Sequence, residues 1–177
     1  MRVRDHVALS TAGAALLQPW VGRGVFALWA GGVLIDADHY VWFCLHQRGL
    51  NPVAAVRFFN QADPPQQSAT RAFHSPVALL ASLVLGARRR ALLPLALGMA
   101  LHVALDAQHD TRMRRARAAA LVRDGFACRA CGTRARRVGT HLERQPTLLP
   151  SYRTQNLVSL CGRCHDAAHA RGTASWS

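Results

Sequence analysis

Four of the chain's five cysteines fall in two C-x-x-C pairs, Cys128/Cys131 and Cys161/Cys164, with 29 residues between the pairs. No other feature restricts the fold as tightly. Each pair makes a tight knuckle, and four thiolates are what a closed tetrahedral structural zinc (Zn2+) site requires. A segment this small buries little apolar surface, so metal binding would supply much of its folding free energy. The fifth cysteine, Cys44, lies among apolar residues and reads as a small buried hydrophobe. Paired cysteines without a secretory context indicate a metal site in a reducing compartment rather than disulfides. The start, MRVRDHVALSTAGAALLQPW, is basic and then apolar but shows no clear small-residue cleavage motif, so no cleavable signal is expected.

Charge divides the chain. Residues 1–110 carry nine arginines against six acids, and residues 111–177 carry thirteen against three. None of the 22 basic residues is lysine, a choice that reflects an Ala- and Arg-rich composition and carries no functional reading. The last third is thus a compact basic unit suited to a polyanion, nucleic acid first and an acidic membrane surface second. Arg114, Arg115 and Arg117 fit either a solvated helix face or contacts to phosphate. With Arg136 and Arg137, Arg114 and Arg115 are the candidate nucleic-acid-binding residues.

Four apolar segments occupy residues 1–110: about Val7 to Val21, Val25 to Leu45, SPVALLASLVLGA, and Ala91 to about Ala107. In the third, Ser75 suits the N-cap and Pro76 the first helical position. None is a clean run of eighteen apolar residues, yet together they leave almost no polar face. Membrane association is preferred over a soluble helical bundle. Arg2, Arg4, the Arg48/Arg57/Arg71 loop and the basic last third then favour a cytoplasmic-membrane protein with both ends, including the C-terminal domain, in the cytoplasm. Arg88–Arg90 would face the other side, unless the third and fourth segments form a re-entrant hairpin. Residues 46–74 read as a polar loop, least ordered at NQADPPQQSAT, and Thr111 to Arg123 as a basic linker helix.

The nine-residue stretch CGRCHDAAH adds two histidines to the second knuckle. If the cysteines hold zinc, His165 and His169 are free, four apart on one helical face, and suited to a second, open-sided metal. Otherwise one of them replaces a cysteine, or both are surface residues. Upstream, RRVGTHLE reads as a short strand ending in His141, and NLVSL as the approach to the second knuckle.

The set CRACG, THLE and NLVSLCGRCHDAAH resembles the HNH endonuclease family over about residues 120–171, in both order and spacing. The resemblance implies a β-hairpin and helix around a catalytic metal (a ββα-metal fold). It gives His141 the role of general base, Asn156 that of bracing the loop that orients it, and His165 and His169 that of ligands to a divalent cation (Mg2+, Mn2+, Ni2+ or Zn2+). Phosphodiester hydrolysis needs an aligned water, a base and a cation for the phosphate charge, and these residues supply them. The family usually carries a metal-ligating Asp, Glu or His just before the base. Here Thr140 stands there, and its hydroxyl is a poor ligand.

The apolar part carries its own polar residues: His6, Asp36, Asp38 and His39 in DADH, His74 in FHSP, and His102 and Asp106 in HVALD. Polar side chains in such surroundings are costly and each needs a partner. One alone would be a satisfied core group more often than a ligand, but clusters of only His and Asp suit a hard or borderline metal. The arrangement is similar to the membrane-bound metal-dependent hydrolase family over residues 5 to about 110, with Ile35 in place of a usual Pro and Phe73 in place of Thr. That resemblance implies a membrane metal centre and hydrolysis. Asp38, His74, His102 and Asp106 are the first-choice ligands, and Asp36, His39 and His6 the second.

The expected fold is mainly α: an apolar N-terminal module of about four helices (residues 1–110) and a small zinc-bound HNH domain (111–177). The expected function is metal-dependent cleavage of DNA by the C-terminal domain. Two alternatives are a nucleic-acid-binding zinc module without catalysis, and a membrane hydrolase whose active site is the N-terminal His/Asp cluster.

Overall fold

A computed structural model of the chain describes residues 3–59, 71–134, 138–142 and 152–170. These are mainly helical, with one two-stranded antiparallel sheet. The chain divides into two compact units, Met1–Ala107 and Gln108–Ser177. The division falls three residues before the one drawn from charge.

Unit 1 begins with α1 (Val3–Val21), which contains Pro19 near its end. Proline removes a backbone donor, and Gly22 follows at φ 56°, in the left-handed region that stops a helix. The second apolar segment forms two helices, α2 (Val25–Leu34) and α3 (Ala37–Gln47), rather than one. At the break the Asp36 carbonyl accepts from the N–H of both His39 (3.1 Å) and Tyr40 (3.4 Å), which restarts the helix in a new direction. The break places Asp36 and Asp38 at a helix start, where carboxylates are favoured.

The region expected to be a polar loop contains α4 (Pro52–Phe59). Asn51 Oδ1 caps it, accepting from Val53 N–H at 2.9 Å and Ala54 N–H at 3.2 Å, with Pro52 at the first helical position. Phe58 packs against Trp42 and Phe43 of α3, and Phe59 against Trp42. The NQADPPQQSAT stretch lies outside the described residues. Cys44 is half-buried rather than enclosed.

Helix α5 (Pro76–Arg88) starts as its sequence expects, with Ser75 Oγ accepting from Ala78 N–H at 3.1 Å. Helix α6 runs without a break from Leu93 to Arg123, joining the fourth apolar segment to the expected linker helix. Arg90–Arg123 is the one span among the described residues long and apolar enough to cross a membrane. Within unit 1, α2 and α6 touch backbone to backbone. A Cβ on Gly31 would collide with the Leu95 carbonyl, and one on Gly98 with that of Leu28. Many large apolar side chains of the unit face outward, among them Leu16, Trp20, Phe26, Leu45 and Val77, each more than two-thirds exposed.

In unit 2, α6 stops at Arg123, and Gly125 follows at φ 59° in the left-handed region. Phe126 N–H donates to the Leu121 carbonyl (2.9 Å) and Gly125 N–H to that of Val122 (3.1 Å), which satisfies carbonyls of the last turn. Strands β1 (Val138–Leu142) and β2 (Leu157–Cys161) pair antiparallel, with Thr140 opposite Ser159 and His141 opposite Val158. All five residues of β2 are buried. On its other side, Ser159 accepts from Arg129 N–H (2.9 Å) and donates its own N–H to Asp124 (3.2 Å). Helix α7 (Gly162–Ala170) follows β2 directly, so Cys164 sits inside its first turn rather than before it. Cys128, Val158, Leu160, Cys161 and Ala168 form one small core, and Ala116, Ala120 and Leu157 another.

Candidate metal centres

The two knuckles of unit 2 bring Cys128, Cys131, Cys161 and Cys164 together, with every pair of sulfurs within 4.8 Å. The Sγ atoms of Cys131 and Cys161 are 3.7 Å apart. Four sulfurs at the ordinary zinc–sulfur bond length on a tetrahedron would be about 3.8 Å apart. The donor set and its spacing fit a metal such as zinc. Cys128 and Cys161 are buried, Cys164 is half-buried and Cys131 exposed. The Thr133 hydroxyl beside Cys131 holds its thiol down to about 6, whereas sharing a proton with Cys161 pushes Cys164 up to about 12. Without metal, the four sulfurs cannot all ionise side by side.

Arg123 ties this knuckle region together. Its guanidinium donates to both Asp124 oxygens at 2.8 Å and to the carbonyls of Thr154 and Leu157, each at 2.8 Å. That guanidinium, with the Ser159 bonds, keeps the Asp124 carboxyl below its ordinary range although the side chain is only 2% exposed.

His141 on β1 and His165 on α7 face each other, ring centroids 5.2 Å apart and planes at 82°. The sequence places them 24 positions apart, and the β1–β2–α7 turn-back joins them. Asn156 closes the short turn Thr154–Asn156 that leads into β2, its N–H donating to Arg153. His169 lies four residues beyond His165 on α7, with its side chain outside those described. Arg114 and Arg115 are exposed on α6, and Arg136 and Arg137 lie outside the described residues. Tyr152, which sequence reasoning passed over, accepts or donates a 2.8 Å hydrogen bond with His109 Nδ1 and lies under the Arg112 guanidinium.

In unit 1 every histidine and aspartate singled out from the sequence converges. His102 is fully buried, and its Nδ1 lies 2.7 Å from the Gly32 carbonyl. A carbonyl only accepts, so Nδ1 carries the proton and Nε2 presents a lone pair. His74 Nδ1 lies 3.2 Å from Asp38 Oδ2, so Nδ1 donates there and Nε2 turns toward His102 and Asp36. These two Nε2 atoms are 3.1 Å apart. Two imidazole nitrogens facing at that distance need a proton or a cation between or beside them. Asp36 Oδ1 lies 3.4 Å from His74 Nε2 and 3.5 Å from His102 Nε2. Asp106 Oδ2 lies 4.0 and 3.7 Å from the same atoms. Nitrogen and oxygen ligands of a tetrahedral zinc would be about 3.4 Å apart.

The structure thereby exchanges two aspartates in rank. Asp36, the second-choice residue, faces these two nitrogens. Asp38 stands behind them, accepting from Phe73 N–H at 3.0 Å and bonding His74 and, at 2.6 Å, His39 Nδ1. Buried and fully engaged, Asp38 holds the imidazoles in one tautomer, the part a carboxylate commonly plays behind a metal-bound histidine. His6 stacks on His102 (centroids 3.8 Å, planes 9° apart) and meets Asp106 Oδ1 at 3.1 Å. No protein-family model matches this sequence, and neither a curated protein nor a solved structure is significantly similar to it.

Proposed function

We propose that the chain is a metal-dependent endonuclease that hydrolyses DNA phosphodiester bonds through unit 2. The observation that carries this reading is the pairing of His141 with His165 beside the cysteine cluster, on a strand–strand–helix unit ordered as in HNH endonucleases. His141 takes a proton from a water, the water oxygen bonds to phosphorus, and the bond to the leaving oxygen breaks, that oxygen then gaining a proton. A divalent cation at His165 and His169, when bound, offsets the charge on the phosphate and the leaving oxygen. With zinc bound, Cys161 and Cys164 would hold the end of β2 and the first turn of α7 to the Cys128/Cys131 knuckle, beside the two histidines. Exposed Arg114 and Arg115 supply sequence-independent phosphate contacts.

The test is nicking of supercoiled plasmid by the full chain in detergent, with Mg2+, Mn2+, Ni2+ or Zn2+. Replacing His141 by Ala is expected to slow nicking by about a hundredfold or more. Salt-dependent DNA binding with no nicking under any of the four ions would make unit 2 a non-catalytic zinc module, as Thr140 allows.

A second reading has its own observation. The facing Nε2 atoms of His74 and His102, with Asp36 and Asp106 beside them, favour a metal centre in unit 1, on a module with many outward apolar side chains. This is the arrangement of a membrane hydrolase, with α5 and α6 among the membrane-embedded segments and unit 2 on the cytoplasmic side of the cytoplasmic membrane. Phosphoesterase activity that survives both Cys161→Ser and His141→Ala would assign the activity to this centre.

A further inference from the structure

The His/Asp cluster of unit 1 holds more donors than a single ion can use. Three sets of side chains each bring their ligand atoms within 4.8 Å of one another: His6, Asp36 and His102; Asp36, His39 and His74; and His74, His102 and Asp106. Each set shares one residue with each of the others, and the chemistry of the shared residue decides how many ions fit. A neutral imidazole offers one lone pair and binds one cation, whereas a carboxylate has two oxygens and can bridge two. The third set shares a histidine with each of the other two and therefore competes with both. The first and second share only Asp36.

We infer that unit 1 holds two divalent cations, one at His6 and His102 and the other at His39 and His74, with Asp36 bridging them. The inference rests on the second reading above and gives it a stoichiometry. Asp106 is placed to bridge as well. Its Oδ1 lies 3.1 Å from His6 Nε2, while its Oδ2 lies 3.7 Å from His102 Nε2 and 4.0 Å from His74 Nε2. The parallel stacking of His6 on His102 turns both rings to this one carboxylate. His39 belongs to the set with Asp36 and His74, and with its Nδ1 given to Asp38 at 2.6 Å it has Nε2 left for an ion. Imidazoles mixed with carboxylates suit Mn2+, Zn2+ or similar ions, and carboxylate-bridged pairs sit about 3.5–4 Å apart.

The experiment uses the full chain in detergent with zinc on its cysteines and with His165→Ala to remove the unit 2 divalent site. It is loaded with Mn2+, then read by metal content and electron paramagnetic resonance. The expected result is two bound manganese ions whose spectrum shows spin–spin coupling. His6→Ala and His39→Ala should each leave one ion with an isolated six-line spectrum. His39 is one-fifth exposed and tolerates truncation, so its variant remains informative if the buried His6 variant misfolds. One ion that is indifferent to His39→Ala, or two uncoupled ions, overturns the pair and leaves a unit 1 metal centre standing. No uptake of Mn2+, and none of Co2+ in its place, overturns the metal reading of unit 1 with it.

Discussion

The two ligand clusters of this chain are built in opposite ways. The cysteines of unit 2 come as two local pairs, each closed within four residues, and only one long connection brings the pairs together. The histidines and aspartates of unit 1 come from α1, the α2–α3 break, the turn before α5, and α6, so that His6 and Asp106, 100 positions apart, meet at 3.1 Å. A metal at the first cluster organises a segment with little core of its own. A metal at the second enters a frame that interhelical packing has already set. The difference teaches which centre depends on its metal to fold and which depends on its fold to bind metal.

The largest expected effect tests that dependence. Structural zinc in small domains contributes on the order of 10 kcal/mol to folding. Removing it with a strong chelator, or replacing Cys161 by Ser, should therefore unfold unit 2 while α1–α5 remain helical. Limited proteolysis would then cut within residues 124–164 and spare unit 1. Equal protection of both units after chelation would show that unit 2 has a self-sufficient core and would erase the contrast.

The next effect is a dependence on pH. Zinc binds thiolates, so every thiol still protonated in the metal-free protein gives up a proton on binding, and raising the pH tightens the complex. Cys131, held down to about 6, is already ionised at pH 7, whereas Cys164, pushed up to about 12, is not. Affinity should rise with pH between 7 and 8, with Cys164 giving up its proton on binding and Cys131 giving up none. Below pH 6, where Cys131 is protonated too, the slope should steepen by up to about one decade per unit. A competitive titration against a chromophoric chelator reads this directly. A slope that stays constant through pH 6 would mean that Thr133 does not stabilise the Cys131 thiolate.

The same contrast explains what the sequence disclosed. Spacing alone exposed the cysteine quartet, because C-x-x-C is a local geometry, and Ser75-Pro76 announced the start of α5 for the same reason. The His and Asp members of unit 1 could be collected as costly polar residues in apolar sequence, but their ranking could not be read. Whether Asp36 or Asp38 faces the cluster depends on the helix break at Ile35–Asp36 and on Phe73 N–H occupying Asp38, a contact 35 positions away. Helix α4 did have a local signal, Asn51-Pro52, which the surrounding polar residues obscured. The joining of the fourth apolar segment to the basic helix as one α6 carried no stop signal to read, since no Gly or Pro lies between Gly98 and Gly125.

The smallest effect probes the frame that unit 1 is said to possess before any metal arrives. Gly98 and Gly13 are both helical glycines, and ordinary helix propensity would make alanine better at each by about 0.5–1 kcal/mol. Around Gly13 a Cβ meets nothing within 4 Å, so Gly13→Ala should show that gain as a higher Tm in detergent. At Gly98 the Cβ collides with the Leu28 carbonyl, backbone against backbone, and α2 must move away from α6. Overpacking of this kind costs about 1–3 kcal/mol. The damage should also reach the metal centre proposed for unit 1. His102 lies one turn beyond Gly98 on α6, and its 2.7 Å bond to Gly32 on α2 spans the same crossing. Separating the helices stretches that bond and frees the imidazole to change tautomer, which weakens metal uptake as well as stability. If Gly98→Ala were as stable as the parent and bound metal equally well, α2 and α6 would not be in backbone contact. The bare nitrogen of His102 would then lose its explanation.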